Sequence, residues 1–186
     1  MLTTTPVFLY DFDTVEEVNM AGQLYSINDV GHPKVEAIMG TVYVYSGFKN
    51  IMPQNEKYTE NSLASTIMFS AFDNMKARSD MFHNWKKEAV KDPDNAIFID
   101  GRLLAEQLQV FYITMKNADE YEKDHLFMDS EVEDTNCSYK QTTHFAATIA
   151  AKMVQGFTNW MAGDTTELPF FYEEIGGLFY AKVELR

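Results

Sequence analysis

Short apolar runs alternate along the chain with segments of helical periodicity, which is typical of α/β proteins. The runs that predict strands are residues 6–10, 41–45, 66–72, 96–99, 108–113 and 178–185. The segments that predict helices are residues 34–39, 75–90 and 141–161. The first run is apolar without interruption, so we expect a strand that is buried on both faces. The last run predicts an antiparallel strand, and the whole pattern predicts a sheet with flanking helices.

The longest predicted helix has a stripe of large apolar side chains on one face. Its members are Phe145, Ile149, Met153, Phe157 and Trp160, with Ala146, Ala150 and Val154 beside them. Gly163 stands where this helix should end. We interpret the stripe as the core-facing side of the helix, packed closely on a sheet or a second subunit, and not as a cofactor site.

The composition is that of a folded domain with an acidic surface. Apolar residues make up 46% of the 186 residues, and 15 basic against 28 acidic residues give a net charge of −13. Because phosphate binding depends on Lys and Arg, this balance argues against nucleic acid and anionic membranes as partners. Cys137 is the single cysteine and cannot form an intrachain disulfide. With no signal peptide or membrane-spanning run visible, we expect a cytoplasmic protein.

Residues 116–136 form the most acidic stretch of the chain. One interpretation is a solvated loop that contains a helical turn. The other is a site for a metal ion or a basic partner, although the residue spacing of an EF-hand is not present.

The first predicted strand ends in Asp11-Phe12-Asp13, the strongest local signal for chemistry. In one interpretation, Asp11 ends a Rossmann-type strand and accepts hydrogen bonds from a ribose. In another, Asp11 and Asp13 are a nucleophile and an acid/base that work with Mg²⁺, which resembles the first motif of haloacid-dehalogenase-type phosphatases. The later G-D-x-x-x-D motif of those phosphatases is missing, and Asp100-Gly101-Arg102 does not replace it. A third interpretation is a polar strand end without a chemical role.

Further motifs follow in a fixed order after this pair of aspartates. They are Asn19, Gln23, Gly31-His32-Pro33-Lys34, Asp73-Asn74 and Arg78. This order resembles the ThiF/MoeB adenylyltransferases, the family that includes the ubiquitin-activating enzymes. Their pattern is an apolar strand with D-x-D-x-V-[ED], then N-x-x-R-Q, then G-x-x-K, then a strand that ends in D-N with an Arg five residues after the Asp. The match extends from about residue 6 to residue 78 and is more specific than any one of its parts.

The resemblance implies a Rossmann-like, mostly parallel sheet with flanking helices and antiparallel C-terminal strands. It implies one ThiF-like domain over residues 1–186, with a nucleotide-binding part (1–115) followed by an acidic crossover loop, a long helix and the last strands (116–186). The implied activity is adenylylation of a carboxylate with ATP and Mg²⁺. The carboxylate would be the C-terminus of a small ubiquitin-like or sulfur-carrier protein. The implied assembly is a homodimer or a pairing with a partner chain.

The resemblance also implies roles for residues near the first strand. Asp11 would hold the ATP ribose, and Asn19 and Lys34 would contact the phosphates. Gln23 would support the same loop.

The later motif supplies the metal ligand and its support. Asp73 would bind Mg²⁺, since this ion uses one or two carboxylates together with phosphate oxygens. Asn74 and Arg78 would brace the loop and its helix, which places Arg78 in the implied cofactor-binding set.

Cys137 has two interpretations. As a nucleophile it would form a thioester with the C-terminus of a ubiquitin-like protein, with Lys140 lowering the pKa of its thiol and His144 as a conceivable partner. Otherwise it is an ordinary partly buried thiol. The zinc site of many family members needs paired C-x-x-C motifs, so a single cysteine excludes it.

The sequence departs from the family pattern at two points. Gly22 stands where the family has a phosphate-contacting Arg. The glycine-rich βα unit expected before Asp11 is absent, so we expect a first βα unit to be missing from the fold. Three hypotheses follow: the chain is a fragment, another chain supplies the loop, or the protein is a non-catalytic interaction and dimerisation module.

Overall fold

The computed structural model describes residues 4–104, 107–127, 143–163, 168–175 and 180–184. The chain divides into two compact units, Met1–Tyr58 and Thr59–Arg186. Each unit is described by itself, and the single-domain organisation stays a prediction.

The first unit is a strand–helix–strand arrangement. It contains β1 (Val7–Tyr10), two short 3-10 turns (Glu17–Ala21 and Ile27–Asp29), α1 (Lys34–Ser46) and β2 (Ile51–Gln54). Strands β1 and β2 pair in parallel, with Val7 opposite Ile51. Val15 and Val35 are almost fully buried and form the centre of this unit.

Two predictions for the first unit are wrong. Residues 41–45 lie in the second half of α1, not in a strand, and the predicted helix 34–39 is only its beginning. The helix ends at Gly47, whose φ of 69° closes the last turn while its N–H donates to the carbonyl of Tyr43. Strand β1 forms where expected, but Val7 and Phe8 are 48% and 46% exposed, because a two-stranded sheet covers little surface.

The second unit is built on a five-stranded sheet. Its elements are β3 (Ile67–Ser70), α2 (Met75–Ala89), β4 (Ile97–Leu104), β5 (Gln107–Ile113), α3 (Ala118–His125), α4 (Thr143–Met161), β6 (Phe171–Ile175) and β7 (Tyr180–Glu184). The strand order is β3-β4-β5-β6-β7. The β3–β4 pair is parallel and the other three pairs are antiparallel. The α/β class with antiparallel C-terminal strands is therefore confirmed, and the parallel pairings described are β1–β2 and β3–β4.

Helices cover both faces of this sheet. On one face, Phe82 and Trp85 of α2 and Tyr121 of α3 pack their rings around Phe98 of β4. On the other face, Met153 of α4 packs with buried side chains of β4 and β5, and Ile149, Phe157 and Trp160 lie against the same cluster. The core-facing stripe is confirmed for its five large members, whereas Ala150 and Val154 beside them are exposed.

The described part of the acidic stretch, residues 116–127, contains a helix of two turns and not one turn in a loop. Helix α3 occupies its first part and buries Ala118 and Tyr121. No group of three His, Cys, Asp or Glu side chains in the described parts of the chain is arranged to hold a metal ion. Among the helices that the structure describes, none has the length and apolar character needed to cross a bilayer.

Candidate functional site

Asp11 lies at the carboxyl end of β1, where the sequence placed it. Its Oδ1 accepts a hydrogen bond from the Asp13 N–H at 2.8 Å, which turns the chain after the strand. This bond uses one carboxylate oxygen, and Asp11 is only partly buried. The second oxygen is compatible with a ribose hydroxyl.

Lys34 is held by the other aspartate of the pair. The segment after β1 runs against the segment before α1, so the Lys34 N–H donates to the Asp13 carbonyl at 2.9 Å. The Lys34 Nζ also donates to Asp13 Oδ2 at 2.8 Å, and the lysine side chain is 12% exposed. The predicted phosphate-binding lysine is therefore already paired with a carboxylate, which lowers its attraction for a phosphate.

Asn19 and Gln23 shape the first 3-10 turn. Asn19 Oδ1 accepts a hydrogen bond from the Glu16 N–H at 2.8 Å, and the Asn19 carbonyl accepts from the Gln23 N–H at 2.8 Å. The Gln23 side chain is exposed. Gly22 ends the turn with a φ of −132°, a conformation that an arginine could also adopt.

The surroundings of Tyr25 show that this part of the first unit is electronegative. Burial, followed by the field of three carboxylates, raises the pKa of Tyr25 to about 12. These carboxylates belong to Asp11, Asp29 and Asp13. A triphosphate would meet repulsion here, since Lys34 is the predicted phosphate ligand and is neutralised by Asp13.

In the second unit, Asp73 and Asn74 stand at the start of α2. Asn74 caps this helix, since its Oδ1 accepts a hydrogen bond from the Ala77 N–H at 2.8 Å. Its Nδ2 donates to Asp73 Oδ1 at 3.2 Å, which orients an exposed carboxylate. No Lys or Arg in the described part of this unit pairs with Asp73, so its donor set fits a hard cation such as Mg²⁺.

Arg78 is buried, and its donors turn into the protein. Its Nε donates to Asp100 Oδ1 at 2.6 Å, and its Nη2 donates to the Phe72 carbonyl at 2.5 Å. The same Nη2 lies 3.4 Å from the Gly101 carbonyl. In this arrangement Arg78 holds the loop between β3 and α2 against β4, which is the bracing role that the resemblance implies.

Asp100, at the centre of this network, is a residue whose role the sequence did not reveal. It is fully buried, and its Oδ2 accepts hydrogen bonds from Arg102 Nε at 2.7 Å and from the Tyr121 hydroxyl at 2.8 Å. Arg102 Nη2 also donates to the His125 carbonyl at 2.9 Å. A charged residue that follows an apolar strand needs partners of opposite charge or hydrogen-bond donors when it is buried. The aspartate at the end of the apolar residues 96–99 was therefore the sequence signal for this network.

We expect the carboxyl group of Asp100 to stay ionised below pH 3.8, its ordinary pKa. Burial alone would raise this pKa, but the charges of Arg78 and Arg102 outweigh burial and lower it. The stabilisation from this group is therefore complete above pH 3.8 and is lost as the pH falls through the folded pKa. A carboxyl ¹³C NMR titration should place its midpoint below that of an aspartate in an unstructured peptide. A midpoint at or above the peptide value would contradict the network.

Cys137 lies outside the described residues, so its predicted role as a nucleophile stays a prediction. Asp11, Asn19, Gln23 and Lys34 belong to the first unit, and Asp73 and Arg78 belong to the second.

Comparison with known proteins identifies the fold. No protein-family model and no curated protein matches the sequence. Solved structures do match: a crystal structure of PaaA aligns with a TM-score of 0.65 and 16% identity over 94% of this chain. E. coli MccB with MccA-N7isoASN aligns with a TM-score of 0.73 and 13% identity over 97% of it. Both have a ThiF/MoeB-type fold. The chain has a divergent ThiF-like fold.

The ThiF-like chain is shorter than these proteins. It covers 62% of the PaaA chain and 57% of the MccB chain, and 56% of a second MccB structure, determined with ATP, which has a TM-score of 0.67 and 13% identity. At 13–16% identity, the similarity to these structures establishes the fold of the ThiF-like chain and nothing further.

Proposed function

We propose that this protein is an adenylyltransferase that uses ATP to activate a carboxylate. The observation that carries the proposal is the fold it shares with MccB, one structure of which was determined with ATP. Asp11 at the carboxyl end of β1 and Asp73 in the loop after β3 support it, because each has one carboxylate oxygen for which the described part of the chain shows no hydrogen bond.

Asp11 would accept hydrogen bonds from the ribose hydroxyls, Asn19 and Lys34 would contact the phosphates, and Gln23 would support their loop. Asp73 would ligate Mg²⁺, and its exposed, Asn74-oriented carboxylate fits that ion. Bound Mg²⁺ supplies neutralisation of phosphate charge. Arg78 would act by holding the loop that carries Asp73 and not by touching the nucleotide.

The reaction would be an in-line substitution at the α-phosphorus of ATP. A carboxylate oxygen of the substrate forms a bond to that phosphorus, the bond from the α-phosphorus to the bridging oxygen breaks, and pyrophosphate leaves. The products are an acyl adenylate and pyrophosphate, so no oxidant or reductant is needed. The protein would contribute mainly positioning and stabilisation of charge.

The substrate would be a peptide or a small protein. Structures of MccB were determined with MccA, a peptide, which supports this class of substrate. A ubiquitin-like or sulfur-carrier protein that presents its C-terminal carboxylate is the narrower proposal, with Cys137 as the residue that would then take a thioester.

Calorimetric titration of Mg-ATP into the full chain tests this function. We expect binding with a Kd in the range of about 1 μM to 1 mM, which is usual for enzyme substrates. Asp73→Ala should weaken it at least about tenfold, the loss typical even of residues that only support a metal ligand. Asp94→Ala removes an exposed carboxylate from the turn before β4 and should leave binding unchanged.

Absence of binding to the wild-type chain, or equal binding by Asp73→Ala and wild type, would contradict the proposal. Lys34→Met should also weaken the binding of Mg-ATP. Lys49→Met removes an exposed lysine of the same unit and should leave this binding unchanged. Circular dichroism of each variant separates loss of binding from loss of fold.

A second candidate is a non-catalytic interaction and dimerisation module. Three features favour it because they weaken the attraction of the first unit for a triphosphate. They are the Lys34–Asp13 pair, the carboxylates around Tyr25 and the glycine at position 22. This function predicts no response to Mg-ATP and a stable oligomer in sedimentation velocity. A monomer at micromolar concentration would count against it.

A further inference from the structure

A small cavity lies on the α4 face of the five-stranded sheet, and none of its lining residues is discussed above as a nucleotide or metal ligand. Its volume is about 200 Å³. Tyr112 of β5, Tyr172 of β6 and Pro169 line it from the sheet side. Lys152, Gln155, Gly156 and Asn159 line it from the helix.

The aromatic wall of the cavity depends on a glycine. A Cβ atom at position 156 would overlap the ring of Tyr112, so only glycine lets this ring lie against α4. The Tyr112 hydroxyl donates to the Lys152 carbonyl at 2.6 Å, which fixes the ring at its far end. Burial, and then the proximity of Tyr172, raise the pKa of Tyr112, so its hydroxyl remains a donor at neutral pH.

Lys152 presents a positive charge to this cavity. Its Nζ lies 4.7 Å from the centre of the Tyr172 ring and 3.4 Å from Gln155 Oε1. No carboxylate in the described part of the chain is within ion-pair distance of it, although the chain carries 28 acidic residues. The Glu174 carboxylate instead accepts a hydrogen bond from the Tyr172 hydroxyl at 2.7 Å.

The polar side chains of α4 are arranged for a single small group. Lys152, Gln155 and Asn159 are spaced three and four residues apart, so they share one face of the helix. An ammonium group and two side-chain amides can together donate to both oxygens of one carboxylate. The cavity is smaller than the roughly 300–1,000 Å³ of usual ligand pockets, so it suits one short chain.

We propose that this cavity binds a carboxylate carried on a short aliphatic chain, the size of one amino-acid side chain or one chain terminus. Lys152 pairs with the carboxylate, Asn159 and Gln155 donate to its oxygens, and the Tyr112 and Tyr172 rings enclose the aliphatic part. The inference does not depend on adenylylation, because none of these residues belongs to the proposed nucleotide site.

An NMR titration of the ¹⁵N-labelled full chain tests the proposal with three probes. N-acetyl-glutamate amide carries only a side-chain carboxylate, N-acetyl-alanine carries only a terminal one, and N-acetyl-glutamine amide is the neutral counterpart. We expect at least one acid to shift the amide signals of residues 152–159 saturably, with a Kd of about 1 mM. The acid that binds more tightly identifies the source of the carboxylate.

Lys152→Met keeps the aliphatic stem and should weaken this binding about five- to tenfold, as expected for the loss of one charge-assisted hydrogen bond. Lys152→Arg should restore part of it. Lys123→Met removes an exposed lysine of α3, on the other face of the sheet, and should change nothing. Equal binding of the glutamine probe, no saturable binding of either acid, or unchanged binding by a folded Lys152→Met variant would each overturn the proposal.

Discussion

Replacing Arg78 with methionine should lower the free energy of unfolding by about 3–5 kcal/mol, the usual result of breaking a buried ion pair from one side. Asp100 is fully buried and would lose its 2.6 Å partner, keeping only Arg102 and Tyr121. The Phe72 carbonyl would lose its donor as well. Urea denaturation followed by circular dichroism measures the change.

Lys76→Met is the matched control, because it removes a cation from the same helix. Lys76 pairs with Asp80 at 2.7 Å, but its side chain is 78% exposed and the pair is screened by water, so we expect little or no change in the free energy of unfolding. Arg78→Met together with Asp100→Leu should cost less than the sum of the two single losses, because both remove the same ion pair, while Arg102 then loses its carboxylate. A loss below about 1 kcal/mol for Arg78→Met alone would be inconsistent with the network.

The Arg78 result also bears on function. The sequence motif implies that Arg78 belongs to the cofactor-binding set, whereas its hydrogen bonds run to Asp100, Phe72 and Gly101. A variant that is less stable but still binds Mg-ATP when folded would show that Arg78 is not a nucleotide ligand.

Local signals predicted the element that follows β3. Residues 66–72 are a largely apolar run that leads into Asp73-Asn74, and the spacing of Met81 and Trp85 is helical. The structure confirms β3 and α2 within a few residues, and it shows that Asn74 caps the helix. These features lie close together in the chain, so they could be predicted without knowledge of the tertiary structure.

Elements that depend on distant partners were missed. Strand β2 contains Pro53, which argued against a strand, yet a two-stranded sheet consists only of edges and tolerates it. Strand β6 has two adjacent glutamates, and its place is set by pairing with β5, whose residues lie sixty or more positions earlier in the chain. In residues 41–45, the preference of Val and Tyr for strands was outweighed by continuation of α1 from Lys34.

The candidate site shows the same division. Asp11, Lys34 and Asp73 could be predicted as site residues because the order and spacing of the motifs can be read from the sequence. It did not reveal that Asp13 neutralises Lys34, since that contact joins residues 21 positions apart through the packing of two loops. The types of the candidate ligand residues could therefore be predicted from the sequence. The charges that surround them could be determined only from the structure.

The second large effect concerns Phe82, where we expect replacement by alanine to cost about 3–5 kcal/mol, the range for large-to-small changes of an aromatic residue in a core. Phe82 is fully buried, and its ring lies 5.6 Å from those of Trp85 and Phe98 and 5.0 Å from that of Tyr121. It thus joins α2, β4 and α3, and its removal would leave a cavity that three separate elements would have to close.

Phe82→Leu keeps most of the volume and should cost less than Phe82→Ala, while Val90→Ala at a 64% exposed position should cost less than about 0.5 kcal/mol. Urea denaturation of the three variants gives the order. Equal losses for Phe82→Ala and Val90→Ala would mean that the aromatic cluster does not hold this face of the sheet. The expected order would instead indicate that these aromatic rings also support the Asp100 network. The reason is that the Tyr121 side chain packs on the Phe82 ring and donates a hydrogen bond to Asp100.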